Sequence, residues 1–202
     1  MIIIEHRVNT IAELEKVPHG HGVEIDLRHD NRTGGLYLNH DPGEGEDFEE
    51  YLSHFRHAFL VMNIKEAGIE GRAIEFAQKH GIGKDRYFLL DVEFPYFYRA
   101  SRKEGVREIA VRYSEAEPLA MALAQAGSVD WVWIDTNTVL PIDRESAQLL
   151  GTKFKTCLVS PDRWRPEGAR EEIPAYRKQL HDAGLSLDAV MTGKEFVDLW
   201  ND

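Results

Sequence analysis

Short apolar runs alternate with helix-spaced stretches eight times along 202 residues, which predicts an α/β chain folded as a short (β/α)8 TIM barrel, a single domain over residues 1–202. Each repeat averages about 25 residues, near the lower end for such barrels. Two further observations favour, in turn, closure over an open doubly wound sheet and a single domain. No G-x-G-x-x-G follows the first apolar run, and no Pro/Gly/Ser linker divides the chain.

The expected strands are Ile2–Ile4, Val23–Leu27, Phe59–Ile64, Tyr87–Leu90, Glu108–Val111, Trp131–Ile134, Thr156–Val159 and Leu187–Met191, with a short extra strand over 36–39. Between them, apolar residues spaced three or four apart predict helices over Ile11–Val17, Ile69–His80, Ala120–Ala126, Arg144–Leu150 and Ala175–Ala183. Gly81, Gly127, Gly151 and Gly184 each fall just past one of these patterns, where a helix commonly ends in a left-handed residue.

Composition narrows the function. Lys and Arg number 24 against 35 Asp and Glu, a formal charge of −11, which argues against a nucleic-acid partner held through its phosphates. The single Cys157 can form no intramolecular disulfide, so a reducing compartment is expected. The apolar opening Met1-Ile2-Ile3-Ile4 is too short for a signal peptide, and no apolar run elsewhere spans a bilayer. A cytoplasmic protein without stable membrane insertion follows, with homo-oligomerisation left open.

In barrels the chemistry sits at the C-terminal ends of the strands. The first strand ends in Glu5-His6-Arg7, the second carries Glu24-Ile25-Asp26, the extra strand ends in Asn39-His40-Asp41 and the third ends in Asn63-Ile64-Lys65. Strand side chains alternate, so Glu24 and Asp26 share one face, about 6–7 Å apart. Two carboxylates turned inward repel and are costly to desolvate unless a cation sits between them. Oxygen donors of this kind suit magnesium, calcium or manganese. The alternative is a solvent-facing pair, or one bridged to Arg28 and Arg7. His6 and His40 supply proton donors and acceptors near neutral pH, and Arg7 a fixed cation for an oxyanion.

The ordered set His6-Arg7, Asn9-Thr10, Glu24-x-Asp26, His40-Asp41 and Ile64-Lys65 resembles the glycerophosphodiester phosphodiesterase family, related to the phosphatidylinositol-specific phospholipase C barrels. The resemblance implies metal-dependent cleavage of a small phosphodiester with Mg2+ or Ca2+. His6 and His40 would be the acid/base pair, Arg7 would clamp the phosphate and Lys65 would neutralise the phosphoryl oxygens. Glu24 and Asp26 would hold the metal, joined by Asn63 where the family usually places a carboxylate. Val8 alone replaces a longer family loop, and the inserted subdomain that follows His40-Asp41 in many members is absent. The competing expectation is an impaired barrel that binds a phosphorylated ligand because Asn63 has replaced an acidic ligand.

Asp91, Glu93 and Asp135, at strand ends, are candidates for the missing carboxylate. The aromatic run Phe94, Tyr96, Phe97 and Tyr98 is a candidate for a site mouth, or for core or a dimer contact. His19-Gly20-His21 has ligand-like spacing but reads as a tight turn entering the second strand. Gly43–Asp47 reads as a solvated acidic loop opening a helix, with Asp47 as its N-cap.

Overall fold

A computed structural model describes residues 1–201. The fold is mixed α/β, and its internal contacts cluster into two units, Ile4–Ile109 and Met1–Ile3 with the residues from Ala110 onward.

The first unit contains β1 (Ile2–Glu5, from Ile4), α1 (Ile11–Leu14), β2 (Gly22–His29), β3 (Leu36–Leu38), β4 (Glu46–Asp47), α2 (Phe48–His54), β5 (Phe59–Ile64), α3 (Glu70–Lys79), β6 (Tyr87–Leu90) and α4 (Phe94–Arg99). β1, β5 and β6 join β2 in a parallel ladder, with Glu5 opposite Val23, Asp26 opposite Asn63 and Met62 opposite Leu89. Val23, Ile25 and Leu27 are wholly buried, as are Leu60, Val61, Met62 and Leu89, the near-continuous apolar pattern of strands covered on both faces. Gly22 is a packing requirement, because a Cβ there would stand 2.8 Å from the Phe59 carbonyl oxygen. On its far end β2 turns into an antiparallel hairpin with β3, which in turn pairs with β4.

The second unit contains β7 (Ala110–Tyr113), α5 (Leu119–Leu123), β8 (Trp131–Ile134), α6 (Arg144–Lys153), β9 (Lys155–Val159), α7 (Ala169–Ala183) and β10 (Ala189–Thr192). These four strands are parallel in the order β7-β8-β9-β10, and the Ile2 amide donates to the Asp188 carbonyl at 2.8 Å. α7 ends at Gly184, whose φ of 78° lets its N–H and that of Leu185 turn back onto the His181 and Leu180 carbonyls.

The eight expected parallel strands are all present, shifted by at most two residues. Three expectations are corrected. Gly151 lies inside α6, which runs on to Lys153 because its φ is ordinary and nothing there stops the ladder. α7 begins at Ala169, ahead of the expected Ala175, and runs through Pro174. The acidic loop at 43–47 contributes β4, whose Asp47 still caps α2 by accepting from the Glu50 amide at 2.9 Å.

Candidate active site

The first unit gathers its polar side chains where β1, β2 and β5 end. β2 supplies Glu24, Asp26 and Arg28 on one face, because Val23, Ile25 and Leu27 fill the other. Glu24 and Asp26 are almost completely buried, and the parallel register sets Asn63 of β5 beside Asp26.

Both carboxylates are held by chain donors. Glu24 Oε1 accepts from Asn63 Nδ2 at 3.0 Å, and Oε2 accepts from the Arg7 amide at 2.9 Å with His6 Nε2 3.9 Å away. Arg7 achieves this in a left-handed conformation, φ 55°, a costly backbone state for a residue with a Cβ and a mark of local constraint. Asn9 clasps Asp26 twice, Nδ2 donating to Oδ2 at 2.9 Å and Oδ1 accepting from the Asp26 amide at 2.8 Å. The Arg7 guanidinium lies 4.0 Å from Asp26 Oδ2. Lys65 Nζ lies 3.0 Å from Asp26 Oδ1 as an ion pair.

The two acids respond in opposite directions. Burial, followed by the nearby Asp26 charge, pushes the Glu24 carboxyl up to about 7, against the hydrogen bonds from Asn63 and Arg7. Burial also acts on Asp26, but hydrogen bonds from Asn9 and Lys65 and the charges of Lys65 and Arg7 outweigh it and hold that carboxyl below its ordinary value. One face thus holds a firm carboxylate beside an acid poised near neutrality, a combination that turns up at reactive sites.

His40 stands in the loop after β3, part-exposed, with its Nδ1 2.9 Å from Asp41 Oδ1. That loop is tied to β2 twice: the Asn39 amide donates to the Asp26 carbonyl at 3.1 Å, and the Arg28 guanidinium donates to the His40 carbonyl. The β1–α1 connection is held from behind, because the Val8 amide donates to the Glu24 carbonyl and the buried Tyr51 hydroxyl donates to the Val8 carbonyl, both at 2.9 Å.

His6, Arg7, Glu24, Asp26, Asn63 and Lys65 therefore meet around the two carboxylates, and the His40 loop is anchored on the same strand. Asn9, Arg28 and Tyr51 carry supporting bonds that residue type alone did not reveal, although Arg28 follows Asp26 by two and so shares its face. The other candidates each have their own setting. Asp91 follows β6 in a left-handed conformation, φ 58°, and Glu93 precedes α4 as an exposed residue. Asp135, in the second unit, is ion-paired to Arg112. The aromatic run forms α4 with Phe97 buried and Phe94 and Tyr98 exposed, so it divides between core and surface. His21 pairs with Glu5 at 3.0 Å and His19 meets the His57 ring edge-on, both in keeping with a structural turn.

Among the described residues no three His, Cys, Asp or Glu side chains cluster as a metal site. The donor set is two carboxylates and the amide oxygen of Asn63, which is buried without a hydrogen-bond partner. An orphaned hard oxygen beside a buried carboxylate pair fits a hard divalent cation. No described helix is long and apolar enough to cross a membrane.

No family model matches the chain, and no curated protein matches it. Among solved structures it shares its fold with an Oleispira antarctica phosphodiesterase in complex with the product sn-glycerol-3-phosphate. That likeness has a TM-score of 0.64 at 16% identity, covering 100% of this chain and 97% of that one.

Proposed function

We propose that the chain cleaves a small phosphodiester of the glycerophosphodiester kind, as a phosphoric diester hydrolase built on a short, single-domain (β/α)8 barrel without an inserted subdomain. The observation that carries this reading is the buried Glu24/Asp26 pair ringed by His6, Arg7 and Lys65. The shared fold with a phosphodiesterase that binds sn-glycerol-3-phosphate supports it. The single, buried Cys157, held in no disulfide, supports a reducing setting such as the cytoplasm.

Glu24, Asp26 and Asn63 would hold Mg2+ or Ca2+, which when bound polarises a phosphoryl oxygen and offsets charge developing on it. Arg7 and Lys65 face Asp26 and present cations to the phosphate. The Asp41 contact at Nδ1 orients the His40 imidazole and leaves Nε2 for the proton of the attacking hydroxyl. His6, beside Glu24, protonates the leaving alkoxide. Attack by water gives a monoester, whereas attack by a neighbouring substrate hydroxyl gives a cyclic phosphate.

A second reading has one observation in its favour: Asn63 turns its Nδ2, not its oxygen, toward Glu24, and the third side chain of the set is neutral. A barrel of this kind binds a phosphorylated ligand and turns it over poorly. Phosphorus NMR with a panel of glycerophosphodiesters, with Mg2+ or Ca2+ and with chelator, separates the two. A monoester or cyclic-phosphate resonance that needs both metal and His6 supports cleavage, and intact diesters refute it. A large gain in rate on Asn63→Asp marks an impaired site, and a loss marks Asn63 as an adapted ligand.

A further inference from the structure

Arg28 extends the functional face of β2 by one step beyond Glu24 and Asp26, and its side chain is largely buried. All three of its guanidinium nitrogens are engaged. Nε and Nη2 donate to the His40 carbonyl at 3.1 and 2.8 Å, while Nη1 donates to Glu66 Oε1 at 2.9 Å. The three segments so joined are β2, the His40 loop and the residue that follows Lys65. A planar fork is required for this: an ammonium is a point charge that cannot hold a carbonyl from two sides and a carboxylate from a third. The acceptor on His40 is its main-chain oxygen, so Arg28 acts on where the imidazole stands and not on its protons. Exposed ion pairs contribute little to stability, but this fork is shielded and shares its acceptor between two donors.

We infer that Arg28 is a positioning residue, whose grip on the His40 carbonyl sets the imidazole against the Glu24/Asp26 face and whose bond to Glu66 ties that placement to the Lys65 strand end. The catalytic part of this inference rests on the phosphodiesterase reading; the anchoring part does not. The test pairs kinetics with NMR of the 15N-histidine-labelled protein. Arg28→Ala should lower kcat by about tenfold or more with KM little changed, as misplacement of an acid/base group does. In a His40→Ala background the same substitution should cost almost nothing further, because both changes act through one group. The His40 ring resonances should shift in Arg28→Ala while those of His57, which bonds the Val17 carbonyl instead, keep their positions and report an intact fold. If Arg28→Ala loses the His57 signals, Arg28→Lys replaces it, keeping the charge and removing the fork, with the same outcomes expected. Unmoved His40 resonances, or an equal loss in the parent and His40→Ala backgrounds, would overturn the inference. Should the parent cleave no phosphodiester, the functional reading falls, and the His40 resonances alone uphold or overturn the anchoring.

Discussion

The two units treat the acids at their strand ends differently. In the second, Asp162 accepts from the Thr192 hydroxyl and the Gly193 amide, both at 2.8 Å, and Asp135 pairs with Arg112. In the first, Glu24 is driven up to about 7, and Asn63 keeps a buried oxygen without a partner. An acid whose charge its own chain matches stabilises the fold, whereas one whose hydrogen bonds do not offset burial and a neighbouring like charge stores free energy that a ligand can release.

The contrast breaks most visibly through the histidines. His6→Ala and His40→Ala should each cut turnover by about a hundredfold or more, with thermal stability little changed; steady-state kinetics and melting curves on the same samples check both halves. Next in size is Glu24→Gln. Glu24 binds its proton more tightly in the folded chain than the ordinary 4.5, so its contribution to stability is full below that value and is lost as pH rises to about 7. The loss amounts to about 3 kcal/mol at pH 8 without metal. Glu24→Gln should remove this slope and raise the stability of the metal-free protein above neutrality while weakening metal affinity. The Asn63 amide can turn its orphaned oxygen to meet the new NH2 group. Denaturant melts from pH 5 to 8 measure the slope, and an unchanged slope in Glu24→Gln would remove Glu24 as its source. Asp26 shifts the other way, and its contribution is lost only on acidification.

In the second unit the expected signs reverse. Asp162→Ala leaves the Thr192 hydroxyl and Gly193 amide unpaired and should cost about 1–3 kcal/mol, with activity per folded molecule preserved. The smallest expected change is Gly184→Ala, which places a Cβ at a φ of 78° and should cost about 1 kcal/mol, read as a small fall in the melting midpoint alone.

Much of this arrangement was legible in the sequence. The strands Phe59–Ile64, Tyr87–Leu90 and Trp131–Ile134 begin and end where their apolar runs do, because burial on both faces keeps the run apolar, with Asn63 of the site the exception within them. Period-two alternation likewise put Glu24 and Asp26 together. Helix ends were harder to place: Gly151 has a sequence signature of termination, yet its backbone stays helical because a glycine permits the left-handed state without requiring it. The clasp of Asn9 on Asp26 and the fork of Arg28 on His40 were not legible as bonds, because each depends on a carbonyl or amide brought near by a loop. Residue type does not encode that approach.

Because Glu24, Asp26 and Arg28 occupy alternate positions of the one strand β2, which pairs with β5 from Gly22 to Leu27, their sidedness is a single shared property. Losing one residue from the start of β2 would turn all three toward the side now filled by Val23, Ile25 and Leu27 and bring those apolar groups into the site. Point changes in this strand can tune affinity, pH response or loop placement one at a time. A frame slip removes them together, which puts the length of β2 under a tighter constraint than the chemistry of any one of its side chains.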